Sequence, residues 1–492
     1  MIRREFLEKS STALISLGIP GVLHSEFNKE RPNILWIITE DTSRHFGFNG
    51  EKAVTTPNVD KLAAEGVVFS NAYVTCPVCS PSRSSLITGM YQTTIGAHNH
   101  RSSSTPESAI QLPKHVRTLP ELFKEAGYYT CNSGFNLEWN NPGKTDYNFT
   151  FENSKLYDGT DWTNRKPNQP FFAQIQLNGG KSRESKFESE AAVDMSKAKI
   201  PPYYPDDRVI NDDWKDYLKT VMKTDDEVGK VMERLKKEGI LSNTIIFFIT
   251  DHGISHVRGK QFLYDEGTRI PFVIWGPEYV KKGVRDELIA NMDMAATSLY
   301  FAGINIPGYM ESRPLFGAKA QPREFVVSAR DRCDETEDRI RSVRKGDFKY
   351  IRNFRPKRPY LQPNVYKDYK PIVKRMRELY KEGKLNSAQS LMMAQVRPVE
   401  ELYDLRNDPF EVHNVATEPA YKDTLFELRT IVDKWIVETN DQGQVQEPWD
   451  QYLKNMEDAN STLVGRGPKN QKKAEERNSN IALMKKWRDE GI

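Results

Sequence analysis

A chain of 492 residues can bury a full hydrophobic core and is too long for a small scaffold held by cross-links or metal. It is 38% hydrophobic and 28% charged, with 71 basic against 68 acidic residues, which excludes wholesale disorder and a uniformly basic nucleic-acid surface. Any anionic partner must therefore be met by a local basic site.

Residues 1–25 stand apart. Arg3-Arg4-Glu5-Phe6-Leu7 precedes the apolar stretch Thr12 to Leu23, which is too short to cross a bilayer and is placed like the hydrophobic part of an export signal. The pattern resembles a twin-arginine signal, with an amphipathic first helix as the alternative reading. It implies export machinery as a partner and a periplasmic or secreted protein. No other apolar run reaches spanning length, so no membrane span is expected in the mature chain.

Asn33 to Thr39 (NILWIIT) reads as a strand buried on both faces, as in a parallel sheet, and ends in Glu40-Asp41. Cys76 and Cys79 form a C-x-x-C pair; with Cys131 and Cys333 the four cysteines are too scattered for a disulfide framework. A redox dithiol or half a zinc site is the alternative for the pair, but proline-rich flanks do not suit a thioredoxin-type helix start and no second C-x-x-C or paired His follows at finger spacing. Thr118 to Ala126 has helical spacing, and Phe171 to Leu177 is a further buried-strand candidate. Asp212 to Gly239 is amphipathic at helical spacing and leads into a strand, Thr244 to Ile249, that ends in Thr250-Asp251-His252-Gly253. Pro271 to Trp275 (strand) and Met292 to Ala302 (helix) follow. The alternation predicts an α/β fold, a large mostly parallel sheet flanked by helices on both faces, over residues 30–335. From 336 to 492 the texture changes to short strand signals (Ile340 to Val343, Tyr350-Ile351, Glu401 to Asp404) and predicts a smaller C-terminal α+β domain, with a polar, partly solvated helical tail after Asn455.

Ligands collect beyond the carboxyl ends of strands in such sheets, and both acidic pairs lie at such ends. Glu40, Asp41, Asp251 and His252 can supply an oxygen-rich site with one imidazole, suited to a hard divalent ion; helix caps or solvated loop residues are the alternative.

Cys79-Ser80-Pro81-Ser82-Arg83, followed by Ser84-Ser85-Leu86-Ile87-Thr88-Gly89, resembles the signature of the formylglycine-dependent sulfatases of the alkaline phosphatase superfamily. The resemblance extends to Pro32 to Asp41, Thr56 to Ala63, Asp251 to Pro271 and Glu401 to Val415. It implies an alkaline-phosphatase-like fold and calcium, in preference to magnesium, on Glu40, Asp41, Asp251, His252 and the modified Cys79. It also implies a formylglycine-generating maturation enzyme. In that chemistry the hydrated aldehyde attacks sulfur, and the sulfated enzyme then expels sulfate as the aldehyde reforms. Arg83 would hold the charge of the metal site. Lys260, in Arg258-Gly259-Lys260-Gln261, matches the family's sulfate-binding lysine.

Two positions depart from the family pattern. Where a lysine and a histidine two residues later are usual, this chain has Lys144-Thr145-Asp146, displaced by Ser133 to Pro142. After Phe171 to Leu177, where a histidine is common, it has Gly179-Gly180-Lys181, and Lys181 could protonate a leaving oxygen only with a lowered pKa. His98, His100, Arg101 and His256 are further candidates for the pocket, with core or surface histidines as the alternative. Arg330, Asp331 and Arg332 suit hydroxyl and carboxylate recognition on a sugar, or a salt-bridge seam between domains. The order of segments resembles the heparan-type branch of bacterial sulfatases. The expected activity is hydrolysis of O- or N-sulfate on a sulfated carbohydrate or glycosaminoglycan. The alternatives are a phosphonate monoester or phosphodiester hydrolase of the same superfamily and a non-catalytic sulfated-glycan binder.

Overall fold

The structure is a computed structural model, and it describes residues 31–103, 106, 109–181 and 193–492. The segment 1–25, expected to be an export signal, lies outside the described residues. The first sheet contains β1 (Asn33–Thr39), β2 (Val67–Tyr73), β3 (Tyr129–Ser133), β4 (Phe171–Leu177), β5 (Thr244–Thr250), β6 (Arg269–Ile270), β7 (Phe272–Trp275) and β8 (Gly283–Ala290). Its order is β3-β4-β1-β5-β7-β2-β6, with β8 beside β2. The run β3-β4-β1-β5 is parallel, whereas β7 is antiparallel to both its neighbours.

Because β1 and β5 are covered on both faces, successive side chains enter different cores. Leu35, Ile37, Ile246 and Phe248 join one, with Trp214, Tyr217 and Val221 of helix Arg208–Lys237. Ile34, Trp36, Ile38, Phe247 and Ile249 join the other, with Leu86 and Ile87 of helix Cys79–Thr88 and Met294 and Leu299 of helix Asp293–Phe301. Two-sided burial is why these strands read as unbroken apolar runs.

The second sheet, β12-β11-β10-β9, is antiparallel throughout: β9 (Phe325–Cys333), β10 (Thr336–Lys345), β11 (Phe348–Asn353) and β12 (Glu400–Asp404). It therefore begins ahead of residue 336. β9 is tied to the end of β2 by Ala329 N–H donating to the Thr75 carbonyl at 2.8 Å. Helix Lys422–Glu438 covers this sheet with Leu428, Val432 and Trp435. The tail is more firmly held than its polarity suggests: Tyr452 and Met456 pack against Met484 of helix Pro468–Asp489, and Arg358 donates to the Ile492 carbonyl at 2.8 Å. No helix among the described residues is long and apolar enough to cross a membrane.

Candidate active site

Register places the chemistry. Thr39 of β1 lies beside Thr250 of β5 and Leu177 of β4, and Ser133 of β3 lies beside Ile175. The segments that follow these four parallel strands therefore leave the sheet at one rim, bringing Lys144, Lys181, Glu40-Asp41 and Asp251-His252 together. The inserted segment after β3 does not carry Lys144 away. It closes on itself through the Ser133/Pro142 bridge and the Gly143 N–H to Asn132 carbonyl bond at 2.9 Å, returning the chain to the strand end.

Lys181 is brought in by a close approach of backbones. A Cβ at Gly180 would sit 2.1 Å from the Asp41 carbonyl oxygen, and Gly179 has φ +48° with its Cβ position 2.3 Å from that of Glu40. Gly180→Ala is expected to cost about 2–3 kcal/mol, because a backbone carbonyl cannot step aside as a flexible side chain can, and to lower turnover by displacing Lys181. Denaturant unfolding and initial rates on the purified variant check both.

Cys79 begins the buried helix Cys79–Thr88, whose first-turn N–H groups favour negative charge at that end. The helix is fixed to the end of β5 by Ser82 Oγ, which donates to the Asp251 carbonyl at 2.7 Å. Cys79 Sγ lies 3.2 Å from His252 Nε2, 3.0 Å from Lys260 Nζ and 3.8 Å from Lys181 Nζ. Burial pushes the Cys79 thiol up to about 11 against the pull of Lys144 and Lys260, so as a thiol it stays protonated at neutral pH. All four cysteines are free and buried, and Cys76 packs with Val78 and Cys333.

Asp41, Cys79, Asp251 and His252 each present one ligand atom, all within 4.8 Å of one another. The two carboxylates suit a hard divalent cation, whereas the protonated thiol does not, so the residue at 79 would join them only as an oxygen donor after maturation. Asp251 Oδ2 is buried without a hydrogen-bond partner. The His252 Nδ1 proton is taken by the Gly253 carbonyl at 2.9 Å, leaving the Nε2 lone pair toward the cluster, and burial holds the imidazole down at about 4, hence neutral. Burial would raise the Asp41 carboxyl, but Lys260, His252 and Lys370 outweigh it and keep it well below the usual range. Asp41 also holds φ +49°, the left-handed region, within this network.

Glu40 is not one of the four converging groups. Its carboxylate accepts from Arg83 at 2.5 Å and Lys144 at 2.7 Å and is paired with Lys181. Arg83 also donates to Gln176 at 2.7 Å and lies 3.8 Å from Asp251, so it spans the two strand ends. Lys260, 3% exposed, is 3.2 Å from Asp41 Oδ1. Burial pushes the Lys181 ammonium down to about 7, with Lys260 adding to the push against the pull of Asp251 and Asp334. Asp146 faces Lys144 at 3.1 Å; burial opposes its ionisation, yet Lys144, His100 and Arg101 bring it down to about 2.

A cavity of about 990 Å³ opens above Cys79 and is lined by His100, Arg101, Lys144, Asp146, Lys181 and Lys260, among others. His100 faces Asp334 at 3.3 Å. His98, Asp331 and Arg332 instead line a separate cavity of about 320 Å³. The charged run is an ion-pair lattice: Arg330 pairs with Asp338 at 2.8 Å, Asp331 with Arg341 at 3.0 Å and Arg332 with Glu447 at 2.7 Å. His256 meets Asp213 at 2.6 Å within a cage of Trp214, Tyr217 and Tyr204 and does not line the larger cavity.

Asp338 joins Arg330 to Arg397. Asp338→Ala should therefore destabilise the fold by about 3–5 kcal/mol by leaving two buried guanidinium groups without their carboxylate. Burial would raise the Asp338 carboxyl, but Arg397 and Arg330 hold it below the usual range. Its contribution is thus complete above the unfolded value of about 3.9 and lost as pH falls through the lower folded value. Urea unfolding of wild type and variant at neutral and acid pH measures the difference.

Sequence reasoning missed Tyr366, whose hydroxyl donates to Asp41 Oδ2 at 2.5 Å and which no local motif marks. Of the mixed-charge run Ser328 to Glu335, it is Asp334 that lines the larger cavity, facing His100. Gln176 did leave a signal, as a polar residue in the otherwise apolar β4 run FFAQIQL that is buried along its whole length.

Comparison with known proteins places the chain in a family. The sequence model of the Sulfatase family matches residues 32–304, and that of the N-sulphoglucosamine sulphohydrolase C-terminal region matches 252–396. An ulvan-active sulfatase of Formosa agariphila is 36% identical over 469 residues, 85% of this chain and 77% of that protein. The Homo sapiens N-sulphoglucosamine sulphohydrolase is 26% identical over 472 residues, 86% and 92%. A solved structure described as in complex with its substrate D-glucosamine-2-N,6-O-disulfate shares the fold, with TM-score 0.57 and 18% identity over 85% of this chain and 100% of that one. The fold is that of the alkaline-phosphatase-like sulfatases. Members of this family generally use formylglycine and a divalent metal. The chain belongs to the sulfatase family and is a sulfuric ester hydrolase.

Proposed function

We propose that this enzyme hydrolyses a sulfate ester, or an N-sulfate, of a sulfated saccharide, with Cys79 matured to formylglycine and calcium on Asp41, Asp251, His252 and the residue at 79. The observation that carries this reading is the convergence of those four side chains, with Lys260, at the N-terminus of helix Cys79–Thr88. The relatives' names support a saccharide substrate. The segment 1–25 supports export to the periplasm or outside the cell, and a maturation enzyme is the further partner required.

A divalent ion at this cluster supplies Lewis-acid polarisation of a sulfate oxygen. Maturation of Cys79 replaces a protonated thiol by an oxygen nucleophile. Lys260 and Lys144, which both line the cavity beside Cys79, neutralise the remaining sulfate oxygens, in a setting where such charges act strongly. Tyr366 and Lys260 hold Asp41; Arg83 and Lys144 hold Glu40. Lys181, brought to about 7, is suited to protonate the leaving oxygen in place of the absent histidine.

Sulfate release by the matured enzyme, measured by ion chromatography with calcium present, should occur on sulfated oligosaccharides and exceed turnover of an aryl phosphodiester. A large phosphodiester preference would overturn the reading. So would glycan binding that survives Cys79→Ala while the wild type releases no sulfate.

A further inference from the structure

Beyond Lys260 and Tyr366, the active-site cavity is lined by residues that the sulfate chemistry does not use, among them Tyr369, Lys374 and Lys473. Tyr366 carries two ammonium groups on its ring, Lys260 at 4.6 Å and Lys370 at 4.7 Å. Tyr369, one turn further on, carries two more, Lys374 at 4.9 Å and Lys473 at 5.0 Å. Lys374 comes from helix Pro371–Lys381 and Lys473 from helix Pro468–Asp489, so two separate elements deliver like charges to one ring. Lysines and tyrosines thus alternate from Lys260, 3.0 Å from the nucleophile, to the mouth of the cavity. Lys469 and Arg477 of the same last helix also line it.

Cation–π contact holds an ammonium in place without neutralising it. Two of the carboxylates along this wall are engaged elsewhere, Asp213 with His256 and Asp216 with Lys219, while Glu476 approaches the Tyr369 hydroxyl. Like charges gathered by different elements repel, and an anion between them relieves that repulsion. The cavity, at about 990 Å³, lies at the upper end of the roughly 300–1,000 Å³ usual for small-molecule sites. It has room for more than the group that is transferred.

We propose that Tyr369 with Lys374 and Lys473 forms a second anion subsite, which binds a further negatively charged substituent, sulfate or carboxylate, on a sugar beyond the one that is desulfated. The preferred substrate is then a polyanionic oligosaccharide rather than a lone monosulfated sugar. This rests on the sulfatase reading above and adds what the outer cavity selects.

The test compares full-length matured wild type with the Lys374→Ala/Lys473→Ala double variant on four probes. These are a tetrasaccharide with two sulfates and uronate carboxylates, the same compound with its carboxyls reduced, a singly sulfated carboxyl-reduced version, and 4-nitrophenyl sulfate. On the first probe kcat/KM should fall about tenfold more than on 4-nitrophenyl sulfate, chiefly through KM, with Lys374→Arg/Lys473→Arg restoring most of it. The excess should shrink as salt is raised. The carboxyl-reduced disulfate shows which anion is held: the excess persists for a sulfate and vanishes for a carboxylate. Equal falls on all four probes would overturn the proposal. If wild type hydrolyses none of them, it is the sulfatase reading that fails. The subsite is then judged by calorimetric binding of the first probe, where about tenfold weaker binding by the double variant supports it and an unchanged Kd overturns it.

Discussion

Cys79→Ala should lower sulfate release by about 10⁴-fold or more while leaving the far-ultraviolet circular dichroism and the cooperativity of unfolding as in wild type. The side chain is 3% exposed and stands at the first position of helix Cys79–Thr88, where alanine is a good helix former. Its loss removes no backbone bond, and Ser82, Arg83 and Ser84, which accepts from the Asn148 N–H, still fasten the helix to its neighbours. What goes is the atom around which His252, Lys260 and Lys181 are arranged at 3.2, 3.0 and 3.8 Å. Cys79→Ser should be equally inactive if it escapes maturation, which separates the need for the modified residue from the need for any hydroxyl. Sulfate release by Cys79→Ala within tenfold of wild type would remove the residue from the reaction.

Lys260→Ala should lower kcat by about 10²–10³-fold, the loss usual for a preorganised charge aimed at a developing anion. Lys260 is buried between Asp41 and Cys79 on a tightly wound loop: Arg258 and Gln261 both have positive φ, and a Cβ at Gly259 would stand 1.9 Å from the Ile254 carbonyl oxygen. The loop therefore fixes the ammonium rather than letting it sample solvent. Burial opposes its charge, but Asp41 and Cys79 raise its pKa well above the ordinary lysine value, so it remains cationic across the working pH range. Lys260→Arg should recover little, since a planar fork does not replace a compact ammonium between two partners. Steady-state kinetics at saturating substrate give the comparison; an unchanged kcat would place Lys260 outside the sulfate site.

The parts of the site legible in the sequence were those whose cause is local. β1 and β5 are apolar throughout because both faces are covered, so their acidic ends marked the rim before any register was known. Lys181 was legible as a position, and its lowered pKa follows from burial, which no local pattern encodes. Tyr366 reaches Asp41 across 325 residues of sequence, and nothing near it announces the contact. Arg330, Asp331 and Arg332 show the opposite difficulty. A mixed-charge run suits a sugar or an ion-pair lattice equally well, and here Asp338, Arg341 and Glu447, supplied by other parts of the chain, take up all three. The tail reads as a partly solvated helix because its charges outnumber its apolar residues, and what the sequence does not announce is that contacts at Ala474, Arg477 and Met484 dock it over the cavity.

The most direct test of the central claim is peptide mass spectrometry across residue 79, made on enzyme purified from a host that carries the maturation machinery and set beside sulfate release by the same preparation. The account predicts formylglycine at position 79, with specific activity rising in proportion to the modified fraction. Full activity from preparations in which Cys79 is entirely an unmodified thiol would contradict it.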